Sequence, residues 1–82
     1  MRIFSVILDD GQTRDHAEGH YRSIDNALRD TIQAAAQVAV ETLGTVGGTQ
    51  SIVCTVEDVD AGERRSAPLH VAVETVPVAP RD

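Results

Sequence analysis

Residues 2–9 (RIFSVILD) alternate with a period of two, placing Phe4, Val6 and Leu8 on one side and Ile3, Ser5 and Ile7 on the other. That period is the mark of a β-strand, and apolar side chains on both sides suggest a strand covered on two faces. Asp10-Gly11 then supplies a turn, because glycine accepts positive φ and aspartate bonds forward to its own backbone. The next residues, 12–16 (QTRDH), carry little apolar content, and either a short extra strand or a loop fits them.

From Ser23 the period changes to that of a helix. Ile24, Leu28, Ile32, Ala35, Ala39 and Leu43 recur at helical spacing, and Arg29, Asp30, Gln33, Gln37 and Glu41 fill the opposite side. Ser23 is the N-cap, Asp25 complements the positive end of the helix dipole, and Gly44 stands where a helix ends. Ala34, Ala35 and Ala36 permit close approach of a sheet or of a second helix. A glycine-containing connection over residues 45–49 leads to a strand at 51–57, with Ile52, Cys54 and Val56 facing one way. A loop over residues 59–66 precedes a last strand at 68–76, where Leu69, Val71 and Val73 alternate with His70, Ala72 and Glu74. Pro77 and Pro80 stop that strand.

These elements predict an α+β two-layer sandwich. One long helix lies on a three-stranded, mainly antiparallel sheet in the order β-α-β-β, with room for an extra short strand near 12–16. Residues 1–78 form the single domain and 79–82 a frayed tail. The helix covers one sheet face only. The other carries Ile3, Ile7, Val53 and Ala72 beside Ser5, Thr55 and His70, so Ile3, Ile7, Val53, His70 and Ala72 are the candidate oligomer interface. Homodimerisation by sheet-on-sheet or edge pairing follows as the leading expectation, and the identity of any other protein partner is left open.

Composition sharpens this picture in three ways. With 82 residues, 41% of them hydrophobic and only Phe4 and Tyr21 aromatic, the core is small, and burial between protomers would reinforce it. Thirteen acidic residues against seven arginines give a net charge of −6 and no basic stripe, which argues against nucleic acid. Arg64 and Arg65 sit beside Glu63 in a turn. The lone cysteine, Cys54, fits a reducing compartment, and no apolar run approaches membrane-spanning length, so a cytoplasmic protein without membrane attachment is expected.

Candidate chemistry is sparse. Residues 9–20 gather Asp9, Asp10, Asp15 and Glu18 with His16 and His20, and Asp10, Asp15, Glu18 and His20 are the candidate ligands of a divalent cation. Their spacing matches no known ligand loop, and a solvated turn explains them as well. If residues 12–16 are not a strand, the 57–63 turn shares that end of the sheet, and Glu57, Asp58, Asp60 and Glu63 join an acidic rim. Ser5, Asp15 and His16 make a triad on paper, without a strained nucleophile turn to support it. Cys54 reads as a buried, inert thiol. Gly44, Gly47 and Gly48 follow a helix and make a poor phosphate cradle. No catalysis and no cofactor are expected. The alternative to an interaction module is a protein binding a small ligand or divalent cation through the acidic 9–20 loop.

The order of features resembles a family of short bacterial proteins of unknown function. The pattern is an apolar strand with Phe4, then Asp10-Gly11, Asp15-x-x-Glu18-Gly19, an Ala-rich helix, a strand ending in Glu57-Asp58, and a turn at Gly62. The resemblance covers nearly the whole chain and implies the fold without an activity. The chain is also similar to dodecins, small strand–helix–strand–strand proteins that assemble into shells and bind flavins. Ser23-Ile24-Asp25-Asn26-Ala27 aligns with the start of their helix. Their flavin-stacking tryptophan has no counterpart, since this chain has no Trp.

Overall fold

The computed structural model describes residues 1–80. The chain runs β1 (Arg2–Asp9), β2 (Arg14–Tyr21), α1 (Ile24–Leu43), β3 (Gly48–Asp58) and β4 (Glu63–Val73). All neighbouring strands are antiparallel, in the spatial order β2-β1-β3-β4, and α1 lies across one face. The α+β sandwich is as the sequence predicts.

The strand count is four, not three. The extra strand spans residues 14–21, longer than the 12–16 segment, and pairs with β1 along its whole length. Its low apolar content reflects its position. As an edge strand it lies largely beyond the cover of the helix: on the helix side Asp15 and Ala17 are exposed, and only Gly19 and Tyr21, beside Phe4 and Arg2, are half-buried. The last strand begins at Glu63 rather than 68 and ends at Val73, so the connecting loop shrinks to residues 59–62. Glu63, Arg64 and Arg65 are strand residues whose charges are paired: Arg64 lies 3.3 Å from Glu57 across the strands, Arg65 pairs with Asp25 of the helix, and Glu63 lies 3.6 Å from Arg65 on its own strand. Residues 74–80 have no regular structure, and 81–82 of the expected tail lie outside the described residues.

Local chemistry sets the helix ends. Ser23 has extended backbone angles and its hydroxyl accepts from the Asn26 N–H, while Gly44, at φ 53°, donates to the Val40 carbonyl. The buried stripe is Ile24, Ala27, Thr31, Ala35 and Ala39. Leu28 and Ile32, expected at its centre, flank it half-buried. Small residues at the centre let the helix approach the sheet, and the larger ones fill the sides. Thr31 is tolerated inside because its hydroxyl donates to the Ala27 carbonyl at 2.7 Å.

Two clusters form the core. Phe4, Ile24, Ala27 and Val56 pack at one end, joined by Val6, Tyr21 and Leu28. Ala35, Ala39, Ile52 and Cys54 pack at the other with Leu8, Ile32, Leu69 and Val71. The first end is the better sealed. Tyr21 meets Phe4 edge-on at 6.0 Å and donates to Asp30 at 3.0 Å. Gly19 makes room for that ring: a Cβ there would stand 2.7 Å from Tyr21 Cε2. Arg2 covers the opposite face of the corner, 5.7 Å over Phe4 and 3.0 Å from the fully buried Asp58.

Candidate functional site

The uncovered sheet face is built from alternate residues of all four strands, and register fixes its rows. Glu18, Ser5, Glu57 and Arg64 form one row, and His16, Ile7, Thr55 and Ser66 the next. Arg14, Asp9, Val53 and Pro68 form a third; Ser51–His70 and Thr49–Ala72 extend it on β3 and β4, and Ile3–His20 lies at the other end. Ile3, Ile7, Val53, His70 and Ala72 therefore share this face, as the alternation implied. Ile3 and Val53 remain 42% and 44% exposed.

Four pairs of polar side chains bond across the face. Ser5 Oγ lies 2.6 Å from His16 Nε2, Ser51 Oγ 2.8 Å from His70 Nδ1, and Thr55 Oγ1 2.8 Å from Ser66 Oγ. Glu57 meets Arg64. Three carboxylates (Asp9, Glu18, Glu57) against two guanidiniums (Arg14, Arg64) leave the face close to neutral in a chain of net charge −6. The apolar members of the face are visible in the alternation along each strand, and these pairs are not. Spacing along one strand says which residues share a side, whereas register decides which of them meet.

The acidic loop is less promising as a site. Asp10 Oδ1 accepts the N–H groups of Gln12 and Thr13 at 2.9 and 2.7 Å, and Oδ2 accepts from the Thr13 hydroxyl. These bonds, the Thr13 N–H first and the Gln12 N–H next, hold its carboxyl below the ordinary aspartate range. Asp9 similarly accepts from the Gly11 N–H. Asp15 lies opposite Leu8 on the helix side of the sheet, whereas Glu18 and His20 lie on the other side. The four candidate ligands are thus spread over two faces, and among the described residues no three His, Cys, Asp or Glu side chains stand together as metal ligands. The same alternation separates Asp15 from the Ser5–His16 pair, so the paper triad does not assemble.

Asp58 does not join an acidic rim. With residues 14–21 a strand, the 10–13 and 59–62 turns fall at opposite ends of the sheet. Asp58 caps its own turn instead: Oδ1 accepts from the N–H groups of Asp60 and Ala61, and its carbonyl accepts from Gly62. Arg2 offsets its charge, although Oδ2 has no partner in hydrogen-bond geometry.

Concave space is either small or shallow. A cleft of about 50 Å³ lies between α1 and the β1–β2 turn, lined by Leu8, Asp10, Asp15, Val38, Gln50 and Ile52. It has room for ordered water and is far below the ~300 Å³ of a small-molecule pocket. A second hollow, of about 370 Å³ beside Tyr21, Asn26, Arg29, Asp30 and Gln33, is wide and polar but open to solvent. Burial pushes the Tyr21 phenol up, with Asp30 adding to the effect. Burial likewise pushes the Cys54 thiol up, in keeping with an inert side chain.

No protein-family model, no curated protein and no solved structure matches the chain. The likenesses to short bacterial proteins and to dodecins rest on the residues alone. No helix among the described residues is long and apolar enough to cross a membrane.

Proposed function

We propose that this protein is a non-catalytic, homo-oligomeric interaction module of the cytoplasm, and that its uncovered sheet face meets the same face of a second copy. One observation carries the reading: four pairs of polar side chains on that face (Ser5–His16, Ser51–His70, Thr55–Ser66 and Glu57–Arg64) are already bonded to one another, around exposed Ile3 and Val53. Burying these paired groups orphans few donors or acceptors, which lowers the desolvation cost over the middle of the face, while the charged Arg14 and Glu18 on the β2 edge are left at its rim.

Charge and area favour a second copy as the occupant. Two chains of net charge −6 repel, and this face is where they approach with little local charge. Four strands about 4.8 Å apart and roughly 30 Å long give ~600 Å² of plan area, on the scale of the ~800 Å² each partner buries in a standard interface. Edge pairing is the weaker route. Pro68 interrupts the donors of β4, and Arg14, Asp15 and Glu18 place charges along β2.

Sedimentation equilibrium over a micromolar concentration series tests the reading. A dimer is expected, and Val53→Glu is expected to give a folded monomer whose thermal midpoint is lower than the wild type's and no longer depends on protein concentration. A wild-type chain that stays monomeric at the highest concentration overturns it.

A second reading, small-ligand or cation binding at the acidic 9–20 loop, has one observation in its favour. Gln50 Oε1 is buried without a partner at the cleft that Asp10 and Asp15 also line. A thermal midpoint unmoved by calcium, magnesium or zinc would remove the cation form of this reading.

A further inference from the structure

The uncovered face is uneven in charge. Its ionic residues gather toward the rows of Ser5 and Asp9, whereas residues 49–56 of β3 and 66–73 of β4 contain no carboxylate and no arginine. Within that neutral end the ionisable side chain on the outer face is His70. Thr49, Ser51 and Val53 face it from β3, Pro68 and Ala72 flank it on β4, and α1 lies on the other side of the sheet. The nearest ionic side chains of the strands on this face, Asp9 and Arg14, sit opposite each other across β1 and β2, and Asp9 accepts from the Gly11 N–H. Glu74 lies beyond the end of β4.

Ser51 holds the imidazole in the plane of the sheet through Nδ1. A neutral imidazole completes an uncharged patch of Val53, Pro68, Ala72 and two hydroxyl residues. A protonated one places a cation there, among residues 49–56 and 66–73 that hold no carboxylate to receive it. In a two-fold pairing that sets this neutral patch on itself, burying an unpaired charge there is strongly opposed, and symmetry doubles the effect.

We propose that protonation of His70 switches off self-association through this face. The inference rests on the homo-oligomer reading above and adds a sign to it. Acidification lowers the overall negative charge and by itself favours contact between copies, so weaker association in acid requires a local cause. Imidazole gains its charge across the relevant range.

The test is sedimentation equilibrium of the full chain at about pH 7.5 and about pH 5.5, for the wild type and for His70→Gln. The wild-type dissociation constant is expected to rise about tenfold per protomer for each unit by which association disfavours the protonated imidazole. His70→Gln should associate at both pH values without that rise. A wild-type dimer no weaker at the lower pH overturns the switch and leaves self-association standing. A monomer at both pH values overturns both. If His70→Gln weakens in acid as the wild type does, His16 or His20 is responsible and the assignment fails. If it no longer associates at the higher pH, the imidazole itself rather than its charge makes the contact, and the switch is likewise overturned.

Discussion

The two β-hairpins turn on the same device at opposite ends of the sheet, and burial makes them different structures. In the first, Asp10 bonds forward to the N–H groups of Gln12 and Thr13 in an exposed loop. In the second, Asp58 bonds forward to Asp60 and Ala61, but its side chain is fully buried and lies opposite Phe4. The exposed aspartate can be replaced by water. The buried one cannot, because its charge must be met inside the protein, and Arg2 at 3.0 Å meets it while covering Phe4. The Phe4–Tyr21–Arg2–Asp58 corner is therefore the closed end of the molecule. The Asp10 end opens on a small cleft with an unpartnered Gln50 oxygen.

The comparison is open to attack at three points. Phe4→Ala should be the most damaging change, costing ~3–5 kcal/mol by urea denaturation, since it empties the centre of the first core cluster. A cost below ~1 kcal/mol would mean that the corner is not the closed end. Asp58→Ala should cost about 2–3 kcal/mol, because it removes the turn acceptor and the partner of Arg2 together. Asp58→Asn keeps an acceptor for the turn, so it should fall between Asp58→Ala and the wild type in denaturant midpoint.

Asp10→Ala should have the smallest effect, and pH should reveal it. The Asp10 carboxyl is held below its ordinary value of 3.8 in the folded chain, so its ionised form favours folding. That contribution is present above pH 3.8 and is lost as pH falls through the lowered folded value. The difference in thermal midpoint between wild type and Asp10→Ala should therefore narrow on acidification below that point. A gap that stays constant would show that the turn bonds do not depend on charge.

Much of this was legible in the chain. The Ser23 cap, the Gly44 stop, the first strand and the assignment of Phe4, Val6, Leu8, Ile52, Cys54 and Val56 to one face follow from period and capping chemistry, which act over a few residues. The second strand was not, because alternation needs a buried face to show itself and β2 is an edge with Gly19 beneath a tyrosine ring. Asp58 was read as one acid among several, since nothing local distinguishes a solvated carboxylate from one that an arginine 56 positions earlier will cover. On the uncovered face, the apolar residues were visible in sequence and the Ser–His and Thr–Ser pairs were not.

Taken alone, the sequence determined the layers: one amphipathic helix, strands of period two, and a sheet face that one helix cannot cover. These are consequences of side-chain direction along a regular backbone. Tertiary structure decided register and adjacency. It placed the two acidic turns at opposite ends, split Asp15 from His16 across the sheet, and set His70 in the neutral half of the open face. Such choices depend on which strands pair and at what offset. A one-residue slip would send every side chain to the other side, so contacts across strands belong to the fold as a whole.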